Sequence, residues 1–463
     1  MRLVRRAAEG ENDWQGGGAK GCVTMLSRLR RGFLLAAILL AGLLLLSCGG
    51  EEEVSKTPAA TQPAGAETPG AQKVPGVTDT EILLGAHFPL SQSPAATYGA
   101  IADGMRAYFD YINSQGGVYG RKITFLVGDD HYNPADAVEV VRKLVEQDQV
   151  FAIAGGLGDP THAAVTRYLE EEGVPDLFLS SGIARFTDPV VKTRFATTLD
   201  YMTESRMLVD YLIANYSGKR LGILYQSDEG LTSEMERTTE LLKDSDIQIV
   251  SKQPYDFGQF DLTAQMQRMK NDNPDLVVLM ANPGAAGNAI KVAREVLGWN
   301  VPFVACAVSA VEITIALAGA KNAEGTVSIT TGKMISETDD PGVQRQIEIL
   351  KQFAPNVTPS SLIEYGMTVA QLTVEALKNA GPNLTRESVV EGAESIRDFC
   401  CLGCLAPANL SPTDHRVSET VWLERVENGE WVRFGDAVSY ESTPGKVVAC
   451  KGLGEPVYAG GGG

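Results

Sequence analysis

The chain has 463 residues, of which 44% are hydrophobic and 21% are charged, and these values are typical of a globular protein with a sizeable core. They exclude collagen, a coiled coil and wholesale disorder. The 58 acidic and 40 basic residues give a net charge of −18, and so acidic a body repels phosphate backbones, which argues against nucleic-acid binding. The four histidines are scattered along the chain, so we expect no metal centre.

The first 47 residues have the pattern of a secretory signal. Three arginines between residues 28 and 31 precede an apolar run over 33–46, which is too short for a comfortable membrane-spanning helix. The residues up to Cys48 resemble the lipobox of bacterial lipoproteins, which implies a lipidated Cys48; the alternatives are a plain signal peptide and an anchor helix. Met25 fits a signal start better than Met1, which would place residues 1–24 before the true start.

Residues 48–79 are predicted to be a lipid-anchored, disordered tether. They are acidic at first and then rich in Pro, Ala, Thr and Gly, with almost no large apolar side chain. Such a segment cannot bury enough surface to offset the entropy of ordering it.

From Glu81 onward, short apolar runs alternate with amphipathic stretches, which predicts parallel strands joined by helices. The predicted strands are Ile82–Ala86, Lys122–Val127, Phe151–Ala154, Leu177–Leu179, Leu221–Tyr225, Ile247–Val250, Leu276–Met280 and Phe303–Ala305. The predicted helices are Tyr98–Ser114, Pro134–Gln147, Thr161–Glu172, Met202–Tyr216, Thr232–Lys243, Leu262–Lys270 and Ala285–Leu297. One open sheet rarely holds so many strands. We therefore predict two α/β lobes with a seam near Thr197–Tyr201.

The C-terminal part differs from this pattern. Residues 421–434 contain two alternating runs around Asn428-Gly429, and an Asn-Gly pair in that setting is a strong hairpin signal.

Motifs that would indicate an enzyme or a cofactor are mostly absent. The sequence has no phosphate-binding loop, nucleophile elbow or zinc-protease motif. Gly155, Gly156 and Gly158 follow a strand, as in a dinucleotide-binding loop, but no glycine stands at the offset that the third glycine of that motif requires. Asp129-Asp130 precedes Asn133-Pro134, which favours a turn and helix cap over a metal site. We expect no enzyme activity, cofactor or metal.

Cysteines 400, 401, 404 and 450 are disulfide candidates. Three of them lie within five residues, and in an exported protein this spacing favours one or two disulfides over zinc. Cys306 follows a predicted strand and is expected to be a buried free thiol.

Several segments resemble the leucine/isoleucine/valine-binding-protein family, the periplasmic ligand receptors of branched-chain amino acid ABC importers. The matching features are Pro89-Leu90-Ser91, Tyr98-Gly99, Gly116-Gly117, Gly120-Arg121-Lys122, Asp129-Asp130, Asn133-Pro134, the run 174–189, the run 221–230 and the run 273–297. The similarity covers about residues 80–440.

The resemblance implies an α/β fold of two Rossmann-like lobes with parallel sheets joined by a three-crossing hinge (periplasmic binding protein-like I). Lobe 1 would comprise 80–200 plus 333–403, and lobe 2 would comprise 201–332 plus 404–450. The second and third crossings would fall near Val327–Lys333 and Cys404–Asn409. Residues 451–463 would form a flexible tail.

In such sheets, ligands bind beyond the carboxyl ends of the strands. The resemblance and this rule together predict ligand contacts from the loops at that edge: Ser91, Tyr98, Asp159, Thr161, Ser180, Ser181, Gly182 and Ile183 in lobe 1, with Gln226, Asp228, Glu229 and Asn282 in lobe 2. The alternatives are a core role for Tyr98 and a plain turn at Ser181-Gly182.

The chain also departs from the leucine-type pattern. Asp159 stands where those receptors have a serine, and the loop after Ala305 lacks their acidic residue. These departures disfavour leucine, isoleucine or valine as the ligand. Asp159, Asp228 or Glu229 could instead meet a cationic or amide group.

The sequence thus predicts an extracytoplasmic solute-binding lipoprotein, held at the membrane by its lipid anchor. It would capture a small polar ligand (an amino acid, an amide or a small carboxylate) between its lobes. It would deliver that ligand to the permease of an ABC importer and act as a monomer. The alternatives are a ligand sensor for a signalling partner and a secreted hydrolase.

Overall fold

The computed structural model describes residues 74–417, 419–439, 448–451 and 455–458. The signal segment, Cys48 and most of the tether lie outside the described residues. The end of the proposed tether is ordered: the Gly76 carbonyl accepts a hydrogen bond of 2.7 Å from the Leu83 amide, and Val77 bridges Ile82. The tether prediction therefore extends too far, because residues 74–79 pack against the body.

The first sheet has five parallel strands in the order β2-β1-β3-β4-β5. Its strands are β1 (Glu81–Phe88), β2 (Lys122–Asp129), β3 (Ala152–Ala154), β4 (Asp176–Leu179) and β5 (Arg194–Ala196). The pairing of β1 with the edge strand β2 starts with Glu81 opposite Lys122. Strands β3 and β4 are buried along their whole length, as expected for a sheet covered on both faces.

The second sheet has seven strands in the order β12-β11-β10-β9-β8-β6-β7. Strands β6 to β10 are parallel to one another, whereas β11 and β12 run antiparallel at one edge. Their bounds are β6 (Arg220–Gln226), β7 (Gln248–Tyr255), β8 (Leu276–Met280), β9 (Phe303–Ala305), β10 (Val327–Thr330), β11 (Thr420–Glu427) and β12 (Glu430–Ser439). The predicted hairpin is confirmed, because Asn428 and Gly429 join β11 to β12 with φ values of 54° and 84°.

Helices cover both faces of each sheet. Their bounds are α1 (Ala100–Ser114), α2 (Pro134–Arg142), α3 (Asp159–Ala163), α4 (Thr166–Glu171), α5 (Tyr201–Tyr216), α6 (Glu229–Leu241), α7 (Thr263–Asn271), α8 (Pro283–Lys291), α9 (Glu312–Ala318), α10 (Ala320–Ala323), α11 (Pro341–Phe353), α12 (Ser361–Asn379) and α13 (Arg386–Glu394). The single helix predicted over 161–172 is broken into α3 and α4. In the described part of the chain, no helix has the length and apolar character needed to cross a membrane.

Each lobe, named here after its sheet, has its own hydrophobic core. In the first lobe, α1 and α12 pack together on one sheet face through side chains such as Met105 and Met367, and α2 and α4 cover the other. In the second lobe, α5 and α6 lie on one face and α7 to α9 on the opposite face. This arrangement confirms the predicted fold class.

The chain passes between the lobes near residues 197–200 and again after β10, close to where the sequence placed these crossings. The third passage differs from the prediction. Ala408, Leu410 and Val417 belong to the core of the first lobe, and Arg416 bridges Ala196 at the edge of its sheet. Among the described residues after Val417, Val421 is the first that belongs to the hydrophobic core of the second lobe. The passage therefore lies near 417–420 and not near 404–409, because apolar side chains hold the intervening segment on the first lobe.

Two disulfides link the cysteine cluster, one between Cys400 and Cys450 and one between Cys401 and Cys404. The prediction of a disulfide among these residues is confirmed, and Cys306 is a buried free thiol as expected. The Cys400–Cys450 disulfide attaches β13 (Val448–Lys451), which contains Cys450, to the cysteine cluster. Strand β13 pairs with β14 (Glu455–Tyr458). The described part of the predicted flexible tail therefore belongs to a two-stranded ribbon.

Candidate ligand-binding site

A cavity of about 220 Å³ lies between the two lobes. Its walls come from both sheets, at the edge where the parallel strands end. The wall segments include residues 157–159, 180–181 and 197–199 of the first lobe, and Gln226, Asn282, 307–308 and 329–330 of the second. Because ligands of parallel α/β proteins bind at this edge, the cavity is the candidate ligand-binding site.

Six of the twelve predicted ligand contacts line the cavity. They come from five different loops and reach it from both lobes. They are Tyr98, Asp159, Ser180, Ser181, Gln226 and Asn282.

Two predicted contacts bond to other parts of the first lobe. The Ser91 hydroxyl donates to Asp129 at 2.6 Å, which holds the turn before α2. The buried Thr161 hydroxyl donates to the Leu157 carbonyl at 2.7 Å. Neither side chain lines the cavity, and both stabilise loops of the first lobe instead.

Three further predicted contacts also lie outside the cavity lining. Glu229 forms an exposed ion pair with Arg185, with a distance of 2.7 Å between Nη2 and Oε2. Gly182 lies against the Tyr201 ring, because a Cβ there would be 2.7 Å from that ring. Ile183 packs in the second core cluster. Packing therefore explains Gly182 and Ile183, and a protein cation already neutralises Glu229.

Asp159 is the central acidic group of the cavity and only 5% exposed. It begins α3, and its carboxylate accepts hydrogen bonds from the Ser181 hydroxyl at 2.5 Å and the Tyr201 hydroxyl at 3.1 Å. Burial and the nearby Asp228 carboxylate raise the pKa of Asp159 to about 7, although the two hydroxyls oppose this rise. A carboxylate in this setting is poorly compensated.

The second lobe contributes an amide pair held by a tyrosine. Gln226 Oε1 accepts hydrogen bonds from the Tyr255 hydroxyl at 3.1 Å and from Asn282 Nδ2 at 2.8 Å. The Gln226 amide nitrogen in turn donates to Asp228, which caps α6 through the Leu231 amide at 2.9 Å. Asp228 therefore supports the cavity wall from behind and does not line it.

Tyrosine rings form much of the wall around Asp159. Tyr98, Tyr132 and Tyr201 all line the cavity. Tyr132 has φ 59°, and its ring stacks on Phe257 of the second lobe with 4.2 Å between the ring centroids. Gly158 permits the close approach, because a Cβ there would lie 2.8 Å from the Tyr132 ring. Sequence reasoning missed Tyr132 and Tyr201, although Tyr132 follows the recognised Asp129-Asp130 pair.

The sequence analysis also did not predict the residues on the side of the cavity nearest the crossings between the lobes. This wall includes Lys333 and Glu364, with Tyr365 next to Glu364 on α12. Lys333 is buried and forms an ion pair of 2.9 Å with Asp340. Burial raises the pKa of Glu364 well above its usual value, although Lys333 opposes this shift. Glu364 interrupts an otherwise apolar face of α12, and a buried acid in a core helix is the one signal that could have identified it.

The two lobes are held in contact around the cavity. Besides the Arg185–Glu229 pair, the Ser361 hydroxyl at the start of α12 donates to Glu312 of the second lobe at 2.7 Å. The lobes therefore adopt a closed arrangement in which a bound molecule would be contacted from both sides.

The cavity has the features of a binding site. Its polar groups are hydroxyls, amides and carboxylates with the ammonium group of Lys333, and aromatic and aliphatic side chains fill the space between them. This mixture is typical of pockets that bind small organic molecules. In the part of the chain that the structure describes, no three His, Cys, Asp or Glu side chains gather as metal ligands.

Relatives of known type share parts of this sequence. The chain is 26% identical over 207 residues to a leucine-, isoleucine-, valine-, threonine- and alanine-binding protein of Pseudomonas aeruginosa, which covers 44% of this chain and 54% of that protein. It is 25% identical over 210 residues to a Leu/Ile/Val-binding protein homolog of Brucella abortus, with the same coverage. The chain thus spans about half the length of the curated relatives it matches.

Solved structures share the fold over most of the chain. A branched-chain amino acid ABC transporter protein of Thermus thermophilus with bound valine aligns with a TM-score of 0.72 at 20% identity, covering 79% of this chain and 98% of that one. A fatty acid ABC transporter substrate-binding protein of Thermomonospora curvata aligns with a TM-score of 0.71 at 24% identity, covering 80% and 95%. The family model described as periplasmic binding protein matches residues 81–430. The chain therefore belongs to the periplasmic binding protein family, as its sequence segments had indicated.

Proposed function

We propose that this chain is an extracytoplasmic solute-binding lipoprotein that captures a small organic molecule between its lobes and delivers it to an ABC importer. The cavity is the observation that carries the proposal. Because its walls come from both lobes, a ligand that contacts both walls stabilises the closed arrangement by its differential affinity for that state.

The relatives support this proposal at the level of the solute-binding role. The Pseudomonas relative is named for binding five amino acids, and the two structural neighbours belong to ABC transporters for branched-chain amino acids and fatty acids. Ligand chemistry therefore varies on this fold, and the residues of the cavity decide it. The signal pattern before Cys48 supports a membrane-anchored location outside the cytoplasm.

Two matched substitutions test the capture of a solute in the cavity. Val308 lines the cavity on the second lobe, so Val308→Trp would fill space that a ligand needs. Val296 is 62% exposed at the surface of the same lobe, and Val296→Trp is the control. We expect native mass spectra of protein purified from its own membranes to show a bound small molecule in the wild type and in the control variant, and none in Val308→Trp.

A ligand that stays bound to Val308→Trp would show that it lies elsewhere. Wild-type protein without any bound molecule, and with no thermal stabilisation by a broad solute panel, would remove the proposal. The same spectra report the anchor: we expect an acylated Cys48 as the first residue, and an unmodified terminus would exclude the lipoprotein assignment.

A further inference from the structure

The hydrogen-bond donors nearest Asp159 are already used within the protein. Ser181 and Tyr201 both donate to its carboxylate. A ligand carboxylate at this end of the cavity would therefore lie against the Asp159 carboxylate, which already uses the Ser181 and Tyr201 hydroxyls as its donors.

The charged groups around Asp159 are also predominantly negative. Among the described residues of the lining, the one cationic side chain is Lys333, and Asp340 neutralises it. No arginine belongs to the described lining; Arg185 lies outside it in its pair with Glu229. Within the part of the chain that the structure describes, no cationic side chain thus compensates Asp159, and Asp228 adds a second carboxylate nearby.

The aromatic wall fits a cation. Tyr98, Tyr132 and Tyr201 line the cavity together with Asp159, and the Tyr201 hydroxyl bonds directly to that carboxylate. Ammonium groups are attracted to the faces of aromatic rings, and a set of such rings beside an acid is the usual form of an ammonium site. Aliphatic side chains such as Ile101 and Val308 line the remaining wall.

We propose that the ligand is an organic ammonium ion with an apolar body and no carboxylate, with its cationic group between Asp159 and the surrounding tyrosines. This inference rests on the proposed function and names the substrate class of the same cavity. The ammonium group supplies the positive charge that the protein omits, and the apolar body fills the aliphatic part of the cavity.

The groups that face Asp159 determine how binding depends on pH. They are the hydroxyls of Ser181, Tyr98, Tyr132 and Tyr201 and the carboxylates of Asp228, Glu229 and Glu234. Burial and the Asp228 carboxylate raise the pKa of Asp159 to about 7, so a fraction of the molecules carries a proton on Asp159 at neutral pH. An incoming ammonium ion favours the ionised carboxylate, and that proton leaves to solvent. Affinity for the cation therefore rises between about pH 6 and pH 8.

Four compounds on one carbon skeleton test the ligand class. They are 3-methylbutylamine, leucinamide, leucine and 4-methylpentanoate; the first two carry an ammonium group without a carboxylate. We expect calorimetry to show binding of the two amines, with proton release to the buffer, and weaker or no binding of leucine and 4-methylpentanoate. Tighter binding of leucine or of 4-methylpentanoate than of 3-methylbutylamine, or no binding of any of the four, would overturn the proposal.

A substitution at the acid provides the second readout. Asp159→Asn keeps the shape and one acceptor but removes the charge, so we expect about 30-fold or greater loss of affinity for 3-methylbutylamine. Asp79→Asn is the control, because Asp79 is exposed before β1, at the opposite edge of the sheet. Unchanged affinity in Asp159→Asn would contradict the assignment.

The ligand released from purified protein separates this inference from the proposed function. A co-purified molecule with a carboxylate and no ammonium group would leave solute capture intact and overturn the ligand class. Protein that neither carries a molecule nor binds any solute would overturn both.

Discussion

Two groups of buried polar side chains lie close together in this protein, and they are built in opposite ways. The balanced cluster supports the loops beneath the cavity and consists of His87, Asp130, His162, Asp176 and Arg194. The acidic cluster lies at and behind the cavity wall and consists of Asp159, Glu204, Asp228 and Glu234. The first pairs its charges within the protein, and the second does not.

The balanced cluster is a continuous chain of hydrogen bonds. His87 Nδ1 lies 2.7 Å from Asp130 and His87 Nε2 lies 3.0 Å from His162 Nδ1. His162 Nε2 is 2.9 Å from Asp176, which Arg194 Nε contacts at 3.2 Å. Every member is at most 4% exposed.

The protonation of this cluster follows from its geometry. Because ionised carboxylates only accept hydrogen bonds, the two outer ring nitrogens carry protons. The cluster thus joins two carboxylates to two imidazoles and one guanidinium. Burial lowers the pKa of His162, although Asp176 opposes this shift.

The acidic cluster has no such compensation. Glu204 Oε1 accepts from the Ala307 amide at 2.5 Å, but its second oxygen and both oxygens of Glu234 have no partner. Burial raises the pKa of Glu204 to about 7 and, with Glu204 nearby, raises that of Glu234 well above its usual value. The comparison indicates that the balanced cluster serves stability, whereas the acidic cluster at the cavity costs stability.

Removing a cation from the balanced cluster should have the largest effect. Arg194→Met leaves Asp176 buried without its guanidinium, and breaking a buried ion pair in this way costs about 3–5 kcal/mol of unfolding free energy. Arg167→Met is the matched control, because Arg167 and Glu171 form an exposed pair with 88% and 58% exposed side chains. Exposed pairs contribute about 0–1 kcal/mol, and urea titration measures both variants. Equal losses in the two would show that Arg194 is not an essential part of the cluster.

The pH dependence of stability should be the next largest effect, and it arises from the acidic cluster. An unfolded glutamate has a pKa near 4.3, whereas that of Glu204 is about 7 in the folded protein. Between these values the folded state binds the extra proton, so the contribution of Glu204 to stability is full below about pH 4 and is lost as the pH rises toward 7. One such proton changes the unfolding free energy by about 1.4 kcal/mol per pH unit.

Glu204→Gln isolates this effect, because glutamine keeps the acceptor for the Ala307 amide and cannot ionise. We expect the ligand-free variant to lose less stability than the wild type between pH 5 and pH 7, by up to about 3 kcal/mol. Glu236→Gln, at an exposed position of α6, should leave the wild-type slope unchanged. Parallel profiles for Glu204→Gln and the wild type would contradict the raised pKa.

The sequence was sufficient to predict the lobes but only part of the cavity. Strands such as β8 and β9 matched their predicted bounds because their apolar runs are continuous and short. The Asn428-Gly429 turn needs only local backbone preference, and it too was predicted correctly. Loop positions followed from the rule for carboxyl ends of strands, and this placed Ser180 and Asn282 in the cavity wall.

The remaining features depend on contacts between distant parts of the chain. Glu229 was predicted to meet the ligand, but Arg185, far from it in sequence, pairs with it instead. Asp159 receives its hydrogen bond from Tyr201 only because the first crossing brings α5 beside α3. The acid at 364 enters the cavity through the packing of α12 on the first lobe. Neither Arg185 nor Tyr201 leaves a local pattern in the sequence, and the acid at 364 is marked only by its interruption of the apolar face of α12.

The smallest effect should come from removing an unpartnered acid behind the cavity. Glu234 is fully buried in α6, and neither of its carboxylate oxygens has a hydrogen-bond partner. Methionine has a similar length and favours helices, so Glu234→Met removes a desolvation cost with little change in packing. We expect an increase of about 1–2 kcal/mol in unfolding free energy at pH 7, the reverse of the Arg194→Met result.

Glu236→Met tests whether the gain comes from burial or from helix propensity. Glu236 lies on the same helix but is exposed, so its replacement should change the unfolding free energy by less than about 0.5 kcal/mol. A loss of stability in Glu234→Met would mean that the buried carboxyl makes a favourable interaction, and the contrast between the two clusters would then fail. A gain in stability accompanied by weaker ligand binding would strengthen it, because the acid would then be retained at a cost in stability for the sake of the cavity.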